Sequence, residues 1–241
     1  MRSPARPGDV AGAETLESMS AAPRYNAWMY EAIADVMGRR ILEVGSGIGN
    51  MSAFLLSGDP ERLILTDLDP FYRERLNLLF ADRPEVRIDQ LRLPDPNAKA
   101  RFATEAIDTI VALNVVEHIE DDIGALRTMR EILAPNGRIV ILVPALQSIY
   151  GEMDKELGHF RRYSKRTLAD RFRRAGFRVE RLTWFNRVGV AGWWFNGRVR
   201  KVSRIPVDQL RRFDGIVPWL RMERFLPLPF GQSVIGVGVP K

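Results

Sequence analysis

Glu43, Gly45, Gly47 and Gly49 fall at alternate positions in the run Glu43-Val44-Gly45-Ser46-Gly47-Ile48-Gly49-Asn50, and Asp67 follows twenty residues after Gly47. Glycines so spaced permit a tight turn and let a ligand approach the backbone without intervening Cβ atoms. A dinucleotide fingerprint separates its last two glycines by three, so that pyrophosphate meets a helix N-terminus. Here the spacing is two, and the acidic Glu43 stands just before the turn. A carboxylate there suits a ligand bearing an amine or a sulfonium better than one bearing phosphates. Asp67, at the end of the next strand, is placed to accept from both hydroxyls of a ribose.

The chain has two histidines. His118 lies four residues past Asn114, and His159 sits in Gly158-His159-Phe160-Arg161-Arg162-Tyr163-Ser164. A histidine titrates near neutrality and can take a proton from a phenol, alcohol or ammonium. His159 reads as base or substrate-binding group, and His118 more as a residue that orients the loop or packs near the cofactor. Arg161 and Arg162 offer the fork geometry that binds a carboxylate or phosphate, and Tyr163, Tyr150 and Asp154 lie on the same connection. These five are the acceptor-side candidates of this stretch.

Positioning these groups requires a particular scaffold. Short apolar strands are expected at Arg40–Val44, Leu63–Thr66, Val86–Asp89, Asp108–Leu113 and Arg138–Val143, alternating with helices near Met51–Leu56, Phe71–Phe80 and Asp122–Leu133. That alternation marks a parallel sheet with crossover helices. Tyr25–Val36 reads as a preceding helix. Ser164 is placed to N-cap a helix that ends at Gly176, before a strand near Arg178–Thr183. Ser233–Val239 reads as the closing strand.

Composition narrows the chemistry. Of 241 residues, 46% are hydrophobic, which places the chain among folded proteins. It has no cysteine, which excludes disulfides, thiolate metal sites and a cysteine nucleophile. Residues 1–20 are polar and small, read as a disordered tail, and residues 21–241 read as one domain. Neither a signal peptide nor a membrane span is apparent, so a cytoplasmic protein is expected.

These motifs together resemble the class I S-adenosylmethionine-dependent methyltransferases. Ile41–Asn50 is similar to their first motif, Thr66-Asp67-Leu68-Asp69 to their ribose-binding acid, Asp108–His118 to the fourth-strand motif, and Leu133–Pro144 to the fifth strand with its turn. The stretch His159-Phe160-Arg161-Arg162-Tyr163 looks like a bacterial branch of the family. The resemblance implies a Rossmann-like, doubly wound α/β sheet of seven strands with the last antiparallel, binding S-adenosylmethionine and releasing S-adenosylhomocysteine. It implies Glu43, Gly45, Gly47 and Gly49 at the methionine end, Asp67 with Leu68 at the ribose, and Asn114 beside the methyl-transfer centre. Gln90 and Leu91 take the adenine position, where many members carry an acid. Tyr25, on the first helix, is a further cofactor-contact candidate.

Absences refine this. Cytosine carbon-5 methylation uses a cysteine, and radical methyl transfer needs three. The Asn/Asp-Pro-Pro-aromatic tetrad of nucleobase and glutamine amino-methyltransferases is replaced by Asn114-Val115-Val116-Glu117. Polar displacement onto an oxygen, nitrogen or carbon of a smaller acceptor remains; transfer to an oxygen or nitrogen of a small molecule is the expectation, with no metal. The stretch 185–232, rich in aromatics, reads as a helical cap before the final strand, with Trp193 and Trp194 as acceptor-pocket candidates. Residues 161–224 hold 18 Lys+Arg against 5 Asp+Glu, whereas the rest of the chain holds 18 against 25. This asymmetry favours an acceptor or surface carrying negative charge. An anionic glycolipid or saccharide at a membrane surface is the second reading, and a non-catalytic nucleic-acid binding protein the third. The oligomeric state is open.

Overall fold

A computed structural model describes residues 20–194, 207–225 and 228–241. Seven strands form one sheet: β1 (Arg40–Val44), β2 (Arg62–Thr66), β3 (Val86–Asp89), β4 (Thr109–Leu113), β5 (Arg138–Pro144), β6 (Phe177–Phe185) and β7 (Ser233–Pro240). Their order is β3-β2-β1-β4-β5-β7-β6. The first five are parallel, and β7 runs antiparallel to both neighbours. This is the expected α/β sheet with its reversed last strand. The order switches direction between β1 and β4, which opens a crevice beyond their carboxyl ends.

The central strands β1, β2, β4 and β5 are largely apolar because both faces are covered, whereas the edge strands β3 and β6 carry charged, partly exposed residues. Along β4, Ile110 and Ala112 enter one core cluster while Val111 enters the other. Likewise β5 sends Ile139, Ile141 and Val143 to the first and Val140 and Leu142 to the second. Continuous hydrophobic strands are the signature of a sheet buried on two sides.

The helices in chain order are α1 (Pro23–Glu31), α2 (Asn50–Ser57), α3 (Pro70–Leu79), α4 (Ala98–Phe102), α5 (Asp122–Ile132), α6 (Glu152–Glu156), α7 (Lys165–Arg174), α8 (Gly189–Trp194) and α9 (Val207–Leu220). Local chemistry starts several of them. Asp69 accepts from Phe71 N, Asp121 from Gly124 N, and Ser164 from Thr167 N, each capping a helix N-terminus. In α5, Ala125, Leu126, Met129 and Ile132 form the buried stripe that attaches it to the sheet. In β7, a Cβ on Gly236 would lie 2.8 Å from Leu168 Cδ2, so glycine there lets α7 close onto the sheet.

The stretch expected as a cap contributes to the second helical layer. In α9, Val217 and Leu220 join the core cluster of Trp28 and Ile41, and Asp214 accepts from Tyr25 N at 2.8 Å. Residues 1–19, with most of the expected tail, and 195–206 and 226–227 of the expected cap lie outside the described residues. Among the described residues, no helix is long and apolar enough to cross a membrane.

Candidate active site

The glycine turn leaves β1 with φ of 71° at Gly45, 54° at Gly47 and 86° at Gly49, conformations that L side chains rarely adopt. Gly45 N and Ser46 N both donate to the Thr66 carbonyl, at 2.8 and 2.9 Å, which ties the turn to β2. Gly47 N donates to Asp67 Oδ2 at 2.9 Å, and Asp69 N to Oδ1 at 2.9 Å. Burial raises the Asp67 carboxyl, and those backbone donors pull in the opposite direction. Glu43 is buried beneath the turn. Burial pushes it up to about 7, against the Ser52 hydroxyl bonded to it, while the Asp67 charge adds to the rise. Among the described residues, neither acid is paired with a lysine or arginine.

Across the switch point, β4 leads directly into Asn114, which is exposed and has φ of 55°. Its N–H donates to the Leu142 carbonyl at 2.8 Å. The next residue, Val115, packs against the glycine turn: a Cβ on Gly45 would meet its Cγ2 at 2.6 Å. A tight turn, Val116–His118, follows. The Glu117 carbonyl accepts from Phe160 N at 2.8 Å, drawing the loop after β5 over the end of β4. His159 and His118 therefore meet edge to face, their ring centroids 4.7 Å apart.

Behind His159 lies a buried ion-pair network. Asp154, with no exposed surface, accepts from Arg162 Nε at 2.8 Å and lies 2.8 Å from His159 Nδ1. Burial alone would raise Asp154, but the His159 hydrogen bond and the Arg162 charge hold it below the usual carboxylate range. An ionised Asp154 only accepts, so Nδ1 carries the proton and Nε2 is the free ring nitrogen. Tyr150 Oη donates to the His159 carbonyl at 2.7 Å and fixes the same loop. His118 keeps exposed surface, yet the protein packed around its ring, with His159 adding to it, pushes it down to about 4. Glu117 is buried, and neither carboxylate oxygen has a hydrogen-bond partner. Burial pushes it up to about 8.

A methyltransferase-domain family matches residues 15–182. The chain belongs to this methyltransferase family. No curated protein matches it. Among solved structures, it is similar to a chain of the Haloferax volcanii complex that joins the Trm112 methyltransferase activator to a methyltransferase, with 16% identity, TM-score 0.63, and 95% of this chain and 96% of that one covered. An S-adenosylmethionine-dependent methyltransferase from Mesorhizobium loti matches with 14% identity, TM-score 0.58, and coverage of 88% and 97%. CalH, a methyltransferase solved with S-adenosylhomocysteine, matches with 17% identity and TM-score 0.55 over 85% of this chain. The match spans about half of CalH (52%).

In this methyltransferase, several predicted site residues have other work. Arg162 is buried, bonded to Asp154 and to the Ala145 carbonyl, with its guanidinium 4.6 Å from the Trp193 ring. Its guanidinium is held inside the fold through Nε and Nη1, with Nη2 left without a hydrogen-bond partner among the described residues. Arg161 contacts Asp122 and the Glu120 carbonyl, and Tyr163 Oη donates to Asp122 at 2.9 Å. Asp122, which the sequence reading treated only as a helix-start residue, thus collects Arg161, Tyr163 and Arg171. A cavity of about 230 Å³ opens beside them, lined by Gln147, Ser164, Thr167 and these arginines and away from the glycine turn. Trp193 is half-buried over Arg162, and Trp194 is exposed.

On the cofactor side, the Leu91 side chain belongs to the core beneath the sheet. Only its backbone is left for an adenine contact, with exposed Gln90 beside it. Leu68 is exposed next to Asp67, its carbonyl held by Arg73 Nη1 at 2.7 Å. Tyr25 packs against Trp28, Phe185 and Phe213. Burial pushes its phenol up to about 12, against a hydrogen bond from Asn186. These contacts make it part of the packing between α1, α9 and the end of β6. Glu117 was not singled out in the sequence. Its one signal was an acid directly before His118 at the exit of β4.

Proposed function

We propose that this enzyme moves the methyl group of S-adenosylmethionine to an oxygen or nitrogen of a small-molecule acceptor held between the β4 and β5 exits. The reading takes residues 21–241 as one cytoplasmic catalytic domain, with 185–232 completing the acceptor side. The observation that carries it is the bond from Gly47 N to Asp67 Oδ2, which joins turn and acid into one surface at the switch point. Glu43 supports the fit, since a buried carboxylate lacking a basic partner is complementary to a cationic ligand.

When bound, the cofactor supplies an electrophilic methyl group on a sulfonium. The chain has to align the acceptor with it and exclude water. Glu43 would face the methionine amine, Gly45, Gly47 and Gly49 admit the ligand to the backbone, and Asp67 accepts from the ribose. Gln90 and the Leu91 backbone would meet the adenine, and Asn114 stands beside the transfer centre. Leu68 and Tyr25 are outer members of this set. On the other side His159, oriented by Asp154, presents Nε2 toward the acceptor, with His118 against its ring. As a base, His159 would take the proton of an acceptor hydroxyl or ammonium.

Calorimetry with S-adenosylhomocysteine, followed by a mass screen for products from phenols, amines and lipid extracts, tests the assignment. The expected outcome is saturable binding, and its absence would overturn the reading. His159→Ala should retain that binding and lose turnover. Full activity across the pH range would remove His159 as base.

A second reading, an anionic lipid-borne acceptor at a membrane surface, has one observation in its favour. Val188, Trp194, Ile216, Trp219, Met222 and Phe225 are large apolar side chains exposed within the strongly basic part of the chain. Flotation with anionic liposomes would support it, and recovery of all protein in the unbound fraction would dismiss it.

A further inference from the structure

We propose that Glu117, His118 and His159 form a binding site for one divalent transition-metal ion on the acceptor side of the cleft. Each offers one ligand atom, and these atoms lie within 4.8 Å of one another. Ion–ligand bonds of about 2.0–2.2 Å set tetrahedral ligand atoms roughly 3.5 Å apart, so small side-chain rotations close the site.

Three observations point to an ion. Both oxygens of Glu117 are buried and without a hydrogen-bond partner, an arrangement that a bound cation relieves. The nearby Arg162 contributes its charge but no hydrogen bond: its Nε bonds Asp154, its Nη1 bonds the Ala145 carbonyl, and its Nη2 is, like the Glu117 oxygens, buried without a hydrogen-bond partner. The second observation is the orientation of the rings. Asp154 holds Nδ1 of His159 and leaves Nε2 free, while the backbone at Leu157 and Gly158 faces the His118 ring. Ligating histidines are commonly held this way, with the second nitrogen donating to a carboxylate or carbonyl. The third is rigidity: Phe160 N on the Glu117 carbonyl and Tyr150 Oη on the His159 carbonyl fix both loops.

Two imidazoles and one carboxylate suit zinc, cobalt, iron or nickel better than magnesium or calcium. Three protein ligands leave a position open for an oxygen of the acceptor. The role of that position rests on the methyltransferase reading, although the site itself does not. There the acceptor O–H proton leaves to water, the O–C bond to the methyl carbon forms, and the C–S bond breaks with its electron pair passing to sulfur. With the ion bound, His159 Nε2 is a ligand and not a base, so the two uses exclude each other.

The chain's two histidines make the test direct. Tag-free, chelator-stripped protein is titrated with Zn2+ while long-range 1H–15N spectra follow both imidazoles. The expected result is saturation at one ion per chain with both rings shifting. Co2+ should give a visible absorption band with the same stoichiometry. Glu117→Gln and His118→Asn should each weaken Zn2+ binding by about 10-fold or more. No saturable binding, a shift in only one ring, or wild-type affinity in both variants would overturn the site, and the wild-type spectra decide even where a variant fails to fold. Calorimetry with S-adenosylhomocysteine is scored separately. Zn2+ binding without it would leave the metal site and remove the methyltransferase reading, and the converse would do the reverse.

Discussion

The two sides of the cleft follow opposite electrostatic plans. On the β1–β2 side, Glu43 and Asp67 are met by a hydroxyl and by backbone N–H groups, and burial raises both. On the β4–β5 side, most charges are already neutralised inside the fold. Asp154 is shared by Arg162 and His159, and Asp122 by Arg161 and Arg171. The first side is left for a ligand to complete, whereas the second is completed by the chain itself. Glu117 is the exception on that second side. Substitutions should therefore weaken cofactor binding on one side and destabilise the fold on the other.

The largest expected effect is on the paired side. Arg162→Met would strand Asp154, ionised and without exposed surface, beside a single histidine. Removing one partner of a buried pair destabilises by about 3–5 kcal/mol. Urea denaturation should show that loss, with any folded fraction still binding S-adenosylhomocysteine. A loss below about 1 kcal/mol would mean the pair behaves as a surface one, and the contrast would fail.

That contrast also explains what was readable in the sequence. Strands β1 and β3 appear at their expected limits, and the other strand limits differ by one or two residues at an end, because apolar runs and turn residues are local signals. The Gly47–Asp67 bond was readable because strand, turn and strand hold it by backbone geometry alone. Arg162 was read as a free anion binder, since nothing in His-Phe-Arg-Arg-Tyr says that one arginine turns inward. Its partner lies eight residues back, across a loop whose path depends on Phe160 bonding to the end of β4. Glu117 was missed for the same reason. An acid at a strand exit looks solvated until a second loop closes over it. Core packing was expected within the 185–232 stretch, but the partner of α9 was not readable, because its packing against α1 joins residues almost two hundred positions apart.

On the open side, Asp67→Ala should lower S-adenosylhomocysteine affinity by about 100-fold, near 1.5 kcal/mol for each of two hydrogen bonds to a charged acceptor. The urea midpoint should fall less than in the Arg162 variant, because Asp67 gives up only its bonds from Gly47 N and Asp69 N, strands no buried partner charge, and has no ion pair among the described residues. Calorimetry on the folded variant decides. Unchanged affinity would detach the acid from the cofactor and leave it a turn-stabilising residue.

The smallest effect is the most discriminating, because it separates affinity from stability at one residue. Burial holds Glu43 near 7, so below that pH the free protein carries a proton there. A cationic cofactor favours the carboxylate, and binding must then expel the proton. Affinity for S-adenosylmethionine should fall by up to about tenfold for each pH unit below about 7 and level off above it. Glu43→Gln should bind more weakly above pH 7 and lose this dependence. Stability should move the other way. A carboxyl whose folded value lies above its unfolded one destabilises the native state as pH rises from about 4.5 to about 7, and that penalty persists at higher pH. The glutamine variant should therefore melt higher than the wild type in cofactor-free buffer at pH 7.5. A variant that both binds and melts like wild type would show that Glu43 is neither strained nor facing the ligand, and the open side of the comparison would rest on Asp67 alone.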